Sequence, residues 1–519
     1  MLRRLAIALT TLLSLVGVVV VAGYLLIFAA GSDRAAASVP ADAAAYVSAY
    51  LQPTTGQQLN LAAMLGHVPG FEDAAGLDQK LNEISARFLG MAGIDYEADV
   101  RPWLGNQLAA AAFGGDTLDA PRLLLVVAVK DPAAAHAALP RLAAGRGLTP
   151  RTATYQGTQI SVDPTASWAL LDDQLLIATD QATLEAALDA ATDRRPSLAD
   201  DAGFNAAMRR LPPDHLASAY VNLHSVATGV DMVESASGYA TLAVAVIAEP
   251  DGLRLEGSAP FNRDAASEEA RRGFDLGTQV ATVTEWMPAD TQASAVVFGL
   301  HGILADAERG LAGQPAAGDI VTSLNQLRAL AGFGLGINLD QDVLPLLDGE
   351  AGLAIGSLFE GAPHGQLVVR PPDPAAASTL LNRLRGGLQG LGATVSERAA
   401  GTTTVVSVTI PQVGAGAWAV EDGAVIIGLG YDDVAAAVQA HQSGQSLADS
   451  ASYAGTWQLA GDRGGNELFV DIGSIADGSP DSLGMTGDAR DILLSISALG
   501  LTVPARDDTS QLRAALTVR

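Results

Sequence analysis

The chain has 519 residues, with 30 lysines and arginines against 57 aspartates and glutamates, and it contains no cysteine. Because a net charge of −27 repels a phosphate backbone, the composition predicts no nucleic-acid binding. The lack of cysteine excludes disulfides, cysteine-ligated zinc sites and thiol nucleophiles. A hydrophobic content of 49% indicates ordinary packed cores, and a chain of this length is expected to form about two to four domains.

The first element in the chain is an uncharged, apolar run at residues 5–30. As a helix rising about 1.5 Å per residue, this run exceeds the roughly 30 Å hydrocarbon core of a bilayer. Arg3 and Arg4 precede it and Asp33 follows it, which favours a cytoplasmic N-terminus. We therefore predict a cytoplasmic N-terminus at 1–4, a transmembrane signal anchor in the lipid bilayer at 5–30 and a linker at 31–38.

A cleaved signal peptide is the alternative for this run, because a stretch of small residues follows it at 29–38. Signal peptides normally have an apolar region of only about 7–15 residues, so the length favours an uncleaved anchor. Both interpretations predict that the bulk of the chain is extracytoplasmic. The predicted location is the cell membrane, as a single-pass protein.

The rest of the chain repeats itself. Six blocks recur in the same order: 39–51 with 287–300, 94–114 with 337–356, 123–142 with 366–384, 167–188 with 417–438, 197–200 with 446–449, and 217–226 with 466–475. In this alignment Asp131 and Pro132 fall on Asp373 and Pro374, and Trp168 falls on Trp418. The pattern predicts a tandem duplication with units at 39–262 and 287–519, joined by a charged linker or helix at 263–286.

Periodicity predicts the architecture of one unit. The apolar run 123–129 is typical of a buried strand, and Asp131 with Pro132 provides an N-cap and a first helical residue for a helix. Residues 167–179 form two apolar runs around a polar turn, which indicates a hairpin, and Asp180 caps a second helix at 182–191. The predicted fold class is α+β: a transmembrane helix followed by two homologous units, each a predominantly antiparallel sheet with packed helices.

These blocks together resemble the bacterial domain-of-unknown-function 3352 family. The resemblance is carried by VPADAAAYV at 39–47, DVRPWLGNQLAAAAFG at 99–114, VKDPAAAHAAL at 129–139 and the hairpin and helix at 167–188. It implies an exported or membrane-anchored protein without an assigned activity, and it implies no catalytic residue. The second copy departs from the pattern at Leu346, where the first has Trp103, and at 371–372, where two prolines replace Val129 and Lys130.

An acidic cluster is the strongest candidate for a metal site: Asp95, Glu97 and Asp99, which align with Asn338, Asp340 and Asp342. Alternating carboxylates resemble the start of a calcium loop, but such a loop needs glycine at its sixth position, where this chain has Val100 and Val343. Acidic residues also cap helices and complement the N-terminal dipole. We favour the helix cap over a divalent cation.

Signatures of catalysis are lacking. The sequence contains no HExxH metal motif, no GxSxG nucleophile turn and no phosphate-binding loop with lysine, and we predict neither an enzyme nor a cofactor. Trp168 and Trp418 recur at equivalent positions, where a core anchor is favoured over a stacking platform in a cleft.

The predicted function is that of a membrane-anchored, non-catalytic binding or scaffolding module of the cell envelope. Its expected partner is an envelope protein or an apolar ligand, because a duplicated unit creates clefts in which ligands bind. One alternative is a carrier that holds a lipid or another apolar ligand in a cavity between sheet and helices. The other is a hydrolase of unrecognised type that uses dispersed carboxylates.

Overall fold

The computed structural model describes residues 33–51, 54–69, 94–114, 122–227, 237–312, 328–329, 331–357, 364–411, 414–478 and 488–519. The predicted cytoplasmic N-terminus and signal anchor, 1–30, lie outside these residues. Within the described ranges, no helix combines the length and the apolar character that crossing a bilayer requires. The predicted fold class is therefore wrong, because no transmembrane helix is supported. What the structure supports is antiparallel sheet with helices in each of the two units described next.

The described residues fall into two compact units. The N-terminal unit comprises residues up to Gly273 together with Arg506–Leu512, and the C-terminal unit comprises Phe274–Ala505 together with Arg513–Arg519. The division of the chain between Gly273 and Phe274 falls within the helix Glu268–Leu276.

The N-terminal unit alternates strands with helices along the chain. Its strands are β1 (Ala43–Tyr50), β2 (Leu104–Phe113), β3 (Arg122–Val129), β4 (Arg151–Tyr155), β5 (Thr158–Val162), β6 (Ser167–Leu171), β7 (Gln174–Ala178), β8 (Ala217–Asn222), β9 (Thr241–Glu249) and β10 (Gly252–Pro260). Its helices are α1 (Thr55–Leu65), α2 (Pro132–Gly145), α3 (Gln181–Ala191), α4 (Ala202–Met208) and α5 (Leu223–Ala227), and α6 (Glu268–Leu276) follows.

The C-terminal unit has a similar succession of elements. Its strands are β11 (Ala293–Phe298), β12 (Glu350–Ile355), β13 (Gly365–Arg370), β14 (Thr394–Ala400), β15 (Thr403–Ile410), β16 (Gly414–Glu421), β17 (Ala424–Gly428), β18 (Glu467–Val470) and β19 (Ile496–Thr502). Its helices are α7 (Leu300–Ala312), α8 (Pro374–Gly390), α9 (Tyr431–Ser443), α10 (Ala451–Ala460), α11 (Ile472–Gly478) and α12 (Asp488–Ser495). The last two strands, β20 (Ala505–Arg506) and β21 (Thr509–Val518), have residues in both units.

Strand order is the same in both units. The N-terminal sheet runs β10-β9-β8-β1-β2-β3-β7-β6-β5-β4, with antiparallel neighbours. The C-terminal sheet runs β21-β19-β18-β11-β12-β13-β17-β16-β15-β14, again antiparallel. Each β-strand of one order therefore has a counterpart at the same place in the other order.

Local signals in the sequence explain several of these elements. Asp131 accepts a hydrogen bond from the Ala134 amide at 3.0 Å and starts α2, while Asp373 does the same for α8 through Ala375 and Ala376, both at 3.0 Å. An N-cap of this kind satisfies amides that have no partner inside the helix. The predicted hairpin at 167–179 is confirmed as β6 and β7, which turn through Asp172 at φ 50°.

Each unit has its own aromatic core. In the N-terminal unit the Phe204 ring packs edge-on against Tyr46 and Tyr220, with centroids 5.7 and 5.1 Å apart. In the C-terminal unit Tyr453 packs in the same manner against Phe469 at 5.0 Å. Such edge-to-face pairs add to the stabilisation that comes from burying the rings.

Three segments lie in a core or unit that the sequence does not indicate. Ala35 and Ala36, in the predicted linker, are 2% and 1% exposed and belong to the N-terminal core. Trp286, at the end of the predicted charged segment, belongs to the C-terminal core. The segment Arg506–Leu512 joins the N-terminal unit, where the Phe261 amide donates to the Asp508 carbonyl at 2.8 Å. Composition gave no sign of these placements, because long-range packing decides them.

Candidate functional site

The acidic cluster of each unit lies on a single π-helical turn, Tyr96–Val100 in one unit and Leu339–Val343 in the other. Asp95 accepts a hydrogen bond from the Ala98 amide at 3.1 Å. Asn338 accepts hydrogen bonds from the amides of Asp340 and Gln341 at 3.0 and 3.2 Å. The first member of each cluster is thus an N-cap, which is the role that the sequence analysis favoured.

The remaining carboxylates of the two clusters are paired with arginines. The pairs are Glu97 with Arg101 at 2.7 Å, Asp99 with Arg141 at 3.1 Å, Asp340 with Arg328 at 3.0 Å and Asp342 with Arg383 at 2.8 Å. A cation site needs several carboxylates that converge without competing positive charge. No group of three or more acidic or histidine side chains suited to a metal ion occurs within the described parts of the chain.

Asp342 illustrates how this pairing affects the carboxylates. The Arg383 guanidinium, and after it the Asn338 amide, holds the pKa of the Asp342 carboxyl below its usual range. The amide donates to Asp342 Oδ2 at 2.8 Å. Because both partners stabilise the charged form, Asp342 is an anion fixed in one position and is not poised for proton transfer.

Two of these ion pairs occupy equivalent places and connect the π-turn to the following helix. Asp99 reaches Arg141 on α2, and Asp342 reaches Arg383 on α8. The space between turn and helix is therefore framed alike in both units. What fills that space differs.

In the N-terminal unit the space is filled by Trp103. Its side chain is 5% exposed and packs with an apolar cluster that includes Val129, Ala135 and Ala138. The indole Nε1 donates a hydrogen bond to the Asp99 carbonyl oxygen at 2.5 Å. Indole burial combined with a partner for its N–H makes this a closed, structural arrangement.

In the N-terminal unit a backbone hydrogen bond also ties the chain after the π-turn to the end of β3. The Lys130 amide donates to the Trp103 carbonyl at 2.9 Å, and Leu104 pairs with Val129 at the start of β2. The equivalent of Lys130 is Pro372, which has no amide hydrogen to donate. In the C-terminal unit the paired strand β12 accordingly begins only at Glu350.

The C-terminal unit has an open space at the same place, with a volume of about 450 Å³. We call it the groove. It is lined by residues of the π-turn, the following turn Leu344–Asp348 and α8: Gln341, Asp342, Pro345, Leu346, Pro372, Asp373, Ala376, Thr379, Leu380 and Arg383. Its volume is within the range of ligand sites, roughly 300–1,000 Å³.

The groove offers apolar contacts beside one ion pair. Pro345, Leu346, Pro372 and Leu380 supply the apolar surface, and Arg383 pairs with Asp342 at its edge. These lining residues include no histidine, cysteine or lysine. The arrangement therefore suits the binding of a largely apolar group more than general acid–base chemistry.

The recurring tryptophans lie in the sheets. Trp168 is on β6 and Trp418 on β16, and each is 9% exposed. Trp168 belongs to the apolar cluster that also contains Trp103. At this degree of burial the side chains act as packing residues in the sheets and do not present an open stacking surface.

Sequence reasoning missed the arginines of the two equivalent ion pairs. Arg141 and Arg383 lie far along the chain from Asp99 and Asp342, so no local motif joins them. A signal did exist, because the alignment that places Asp131 on Asp373 also places Arg141 on Arg383. A charged pair retained at both places of a duplication indicates a shared contact.

Comparison with known proteins gives a family. A family model described as "Protein of unknown function (DUF3352)" matches residues 5–518, which confirms the resemblance carried by the sequence blocks. No curated protein matches the chain.

Among solved structures, three crystal forms of the protein TP0453 are similar to this chain, each at 10% identity. Form III has a TM-score of 0.26 over 48% of this chain and 88% of that chain. Form IV has 0.25 over 43% and 79%, and form I has 0.27 over 49% and 90%. Likenesses at this level support no conclusion about fold or function.

Proposed function

Since the chain belongs to the DUF3352 family of proteins of unknown function, we propose a function from its own geometry. The protein is a non-catalytic binding or scaffolding module, and the groove of its C-terminal unit is the binding site. One observation carries the proposal: the two units frame the same space with the same ion pair, yet one fills it with Trp103 and the other leaves about 450 Å³ open.

Residue differences support a groove that serves binding. Leu346 replaces the indole, and Pro372 removes the amide that ties the turn to the strand in the other unit. Both replacements act in the same direction, because each removes a contact that would close the space. The ion pair of Asp342 with Arg383 still connects the turn to α8, so these two elements border the groove.

The proposed partner is a protein of the cell envelope, and an extracytoplasmic location is part of the proposal. The location rests on the apolar run 5–30 as an export signal, and that run lies outside the described residues. A C-terminal alkaline phosphatase fusion tests it, since this enzyme gains activity only after export. An active fusion supports the location, and an inactive fusion that is stably expressed contradicts it.

Site-specific photocrosslinking tests the binding function. A photoreactive phenylalanine is placed at Thr379, an exposed residue that lines the groove, in the full-length chain in the cells that make it. The matched control is Ala137, the exposed residue at the equivalent place on α2. We expect a crosslinked partner from position 379 and none from position 137. Equal crosslinking from both positions, or none from either, contradicts the proposal.

The carrier and hydrolase alternatives stay predictions. A carrier requires an enclosed apolar cavity between sheet and helices, whereas the groove lies between a turn and a helix and includes charged residues. Native mass spectrometry of the purified protein distinguishes the carrier from the binding module. Co-purified lipid would favour the carrier, and a protein partner lost on closing the groove would favour the binding module.

A further inference from the structure

We propose that the groove binds the indole side chain of a tryptophan presented by a partner protein. This inference rests on the proposed binding function and adds the chemistry of the bound group. The N-terminal unit already contains the Trp103 indole in the equivalent space, where the C-terminal unit has Leu346.

The N-terminal unit serves as a template for the bound state. There the Trp103 indole lies between the π-turn and α2, with its N–H on the Asp99 carbonyl at 2.5 Å. The C-terminal unit retains the capped π-turn, the helix and the ion pair, with Asp342 in place of Asp99. The Asp342 carbonyl therefore stands at the place of the Asp99 carbonyl and can accept the N–H of an incoming indole.

Volume alone would not open the groove. Leu346 is smaller than the tryptophan at the equivalent place, but Leu380 on the helix is larger than Ala138, so the two differences in side-chain volume offset each other. Both leucines are only partly buried and line the space without filling it. A space of about 450 Å³ is open beside these two leucines, so a ring supplied from outside the chain can be accommodated there.

The lining also favours an aromatic group by its chemistry. Pro345 and Pro372 offer flat apolar rings, and Arg383 contributes a guanidinium whose side chain is 46% exposed. Arginine stacks on aromatic faces. Elsewhere in the C-terminal unit Arg463 lies 5.4 Å from the Trp457 ring centroid, so this contact is one that the unit already uses.

The geometry favours an indole that belongs to a protein. The groove lies at the surface between a turn and a helix, and exposed residues such as Thr379 and Ala376 border it. A ring presented by a polypeptide can enter the groove there from the surface.

The experiment measures binding of N-acetyl-L-tryptophanamide to the full chain by saturation-transfer NMR, with N-acetyl-L-leucinamide as the comparison ligand. The double variant Leu346→Trp with Leu380→Ala restores the residue pair of the N-terminal unit and closes the groove. Thr379→Glu obstructs the groove from an exposed position. It tests the groove independently if the double variant does not fold. Ala137→Glu makes the same change at the equivalent place on α2.

We expect the tryptophan amide to bind at least fivefold more tightly than the leucine amide. Both groove variants should weaken this binding at least tenfold, and Ala137→Glu should leave it unchanged. Equal affinity for the two amides, or undiminished binding to the groove variants, would overturn the inference.

The photocrosslinking experiment separates the two proposals. A partner that is crosslinked at Thr379 but not displaced by the tryptophan amide leaves the binding function standing and overturns the indole. Amide binding without any crosslinked partner overturns the partner protein as the source. A crosslinked partner that the amide displaces, and that carries an exposed tryptophan at the crosslink, supports both.

Discussion

Replacing Trp103 by leucine tests whether the two units differ in packing as described. Trp103 is 5% exposed, and a buried aromatic side chain covers about 150–250 Å². Leucine would leave roughly 80 Å² of that surface uncovered, which corresponds to about 2 kcal/mol. The lost hydrogen bond from Nε1 to the Asp99 carbonyl adds about 1 kcal/mol. We expect Trp103→Leu to lower the free energy of unfolding by about 3 kcal/mol.

Urea unfolding followed by circular dichroism measures this loss, with Leu346→Ala as the matched variant in the other unit. Leu346 is only partly buried beside the groove, so its truncation should cost about 1 kcal/mol. Separate analysis of each unfolding transition is needed because two units need not unfold together. If Leu346→Ala destabilises its unit as much as Trp103→Leu destabilises the other, the space around Leu346 is packed and the reasoning is refuted.

Three further predictions concern buried or paired carboxyls. Burial raises the pKa of the Asp33 carboxyl in the folded protein. The wild type should therefore lose stability as the pH rises from the pKa of the unfolded state through the raised pKa of the folded state. Asp33→Asn should not show this loss when unfolding curves are measured at several pH values. Asp342→Asn should destabilise at neutral pH, and its difference from the wild type should vanish as pH falls through the lowered pKa of Asp342 in thermal melts. Glu467, 5% exposed, pairs with Arg463 at 2.9 Å; Glu467→Ala should cost about 3 kcal/mol in urea unfolding, because it leaves the guanidinium without its anion.

Much of the local structure could be predicted from the sequence. Asp131 and Asp180 cap helices through hydrogen bonds to amides three residues away, so the residues that decide the contact stand together in the chain. The hairpin of β6 and β7 is local for the same reason. The transmembrane helix of the predicted fold class is not supported, because no helix among the described residues is long and apolar enough to cross a bilayer.

The candidate site was only partly visible. The acidic clusters drew attention through their spacing, and the replacement of Trp103 by Leu346 could be read from the alignment of the two blocks. Their meaning depended on Arg141 and Arg383, whose partners lie on another element. The positions at which the two repeats diverge therefore show where a site can differ between the units. They do not show whether an open space forms there.

The sequence by itself determined the helix caps, the tight hairpins and the positions at which the repeated blocks diverge, because each depends on residues that are neighbours in the chain. The tertiary structure alone decided that Asp342 meets Arg383, that Ala35 enters a core, and that Leu346 borders an open groove. These outcomes depend on how helices pack on a sheet formed by distant segments. The groove is the space that remains after all of those side chains are placed, and no single segment specifies it.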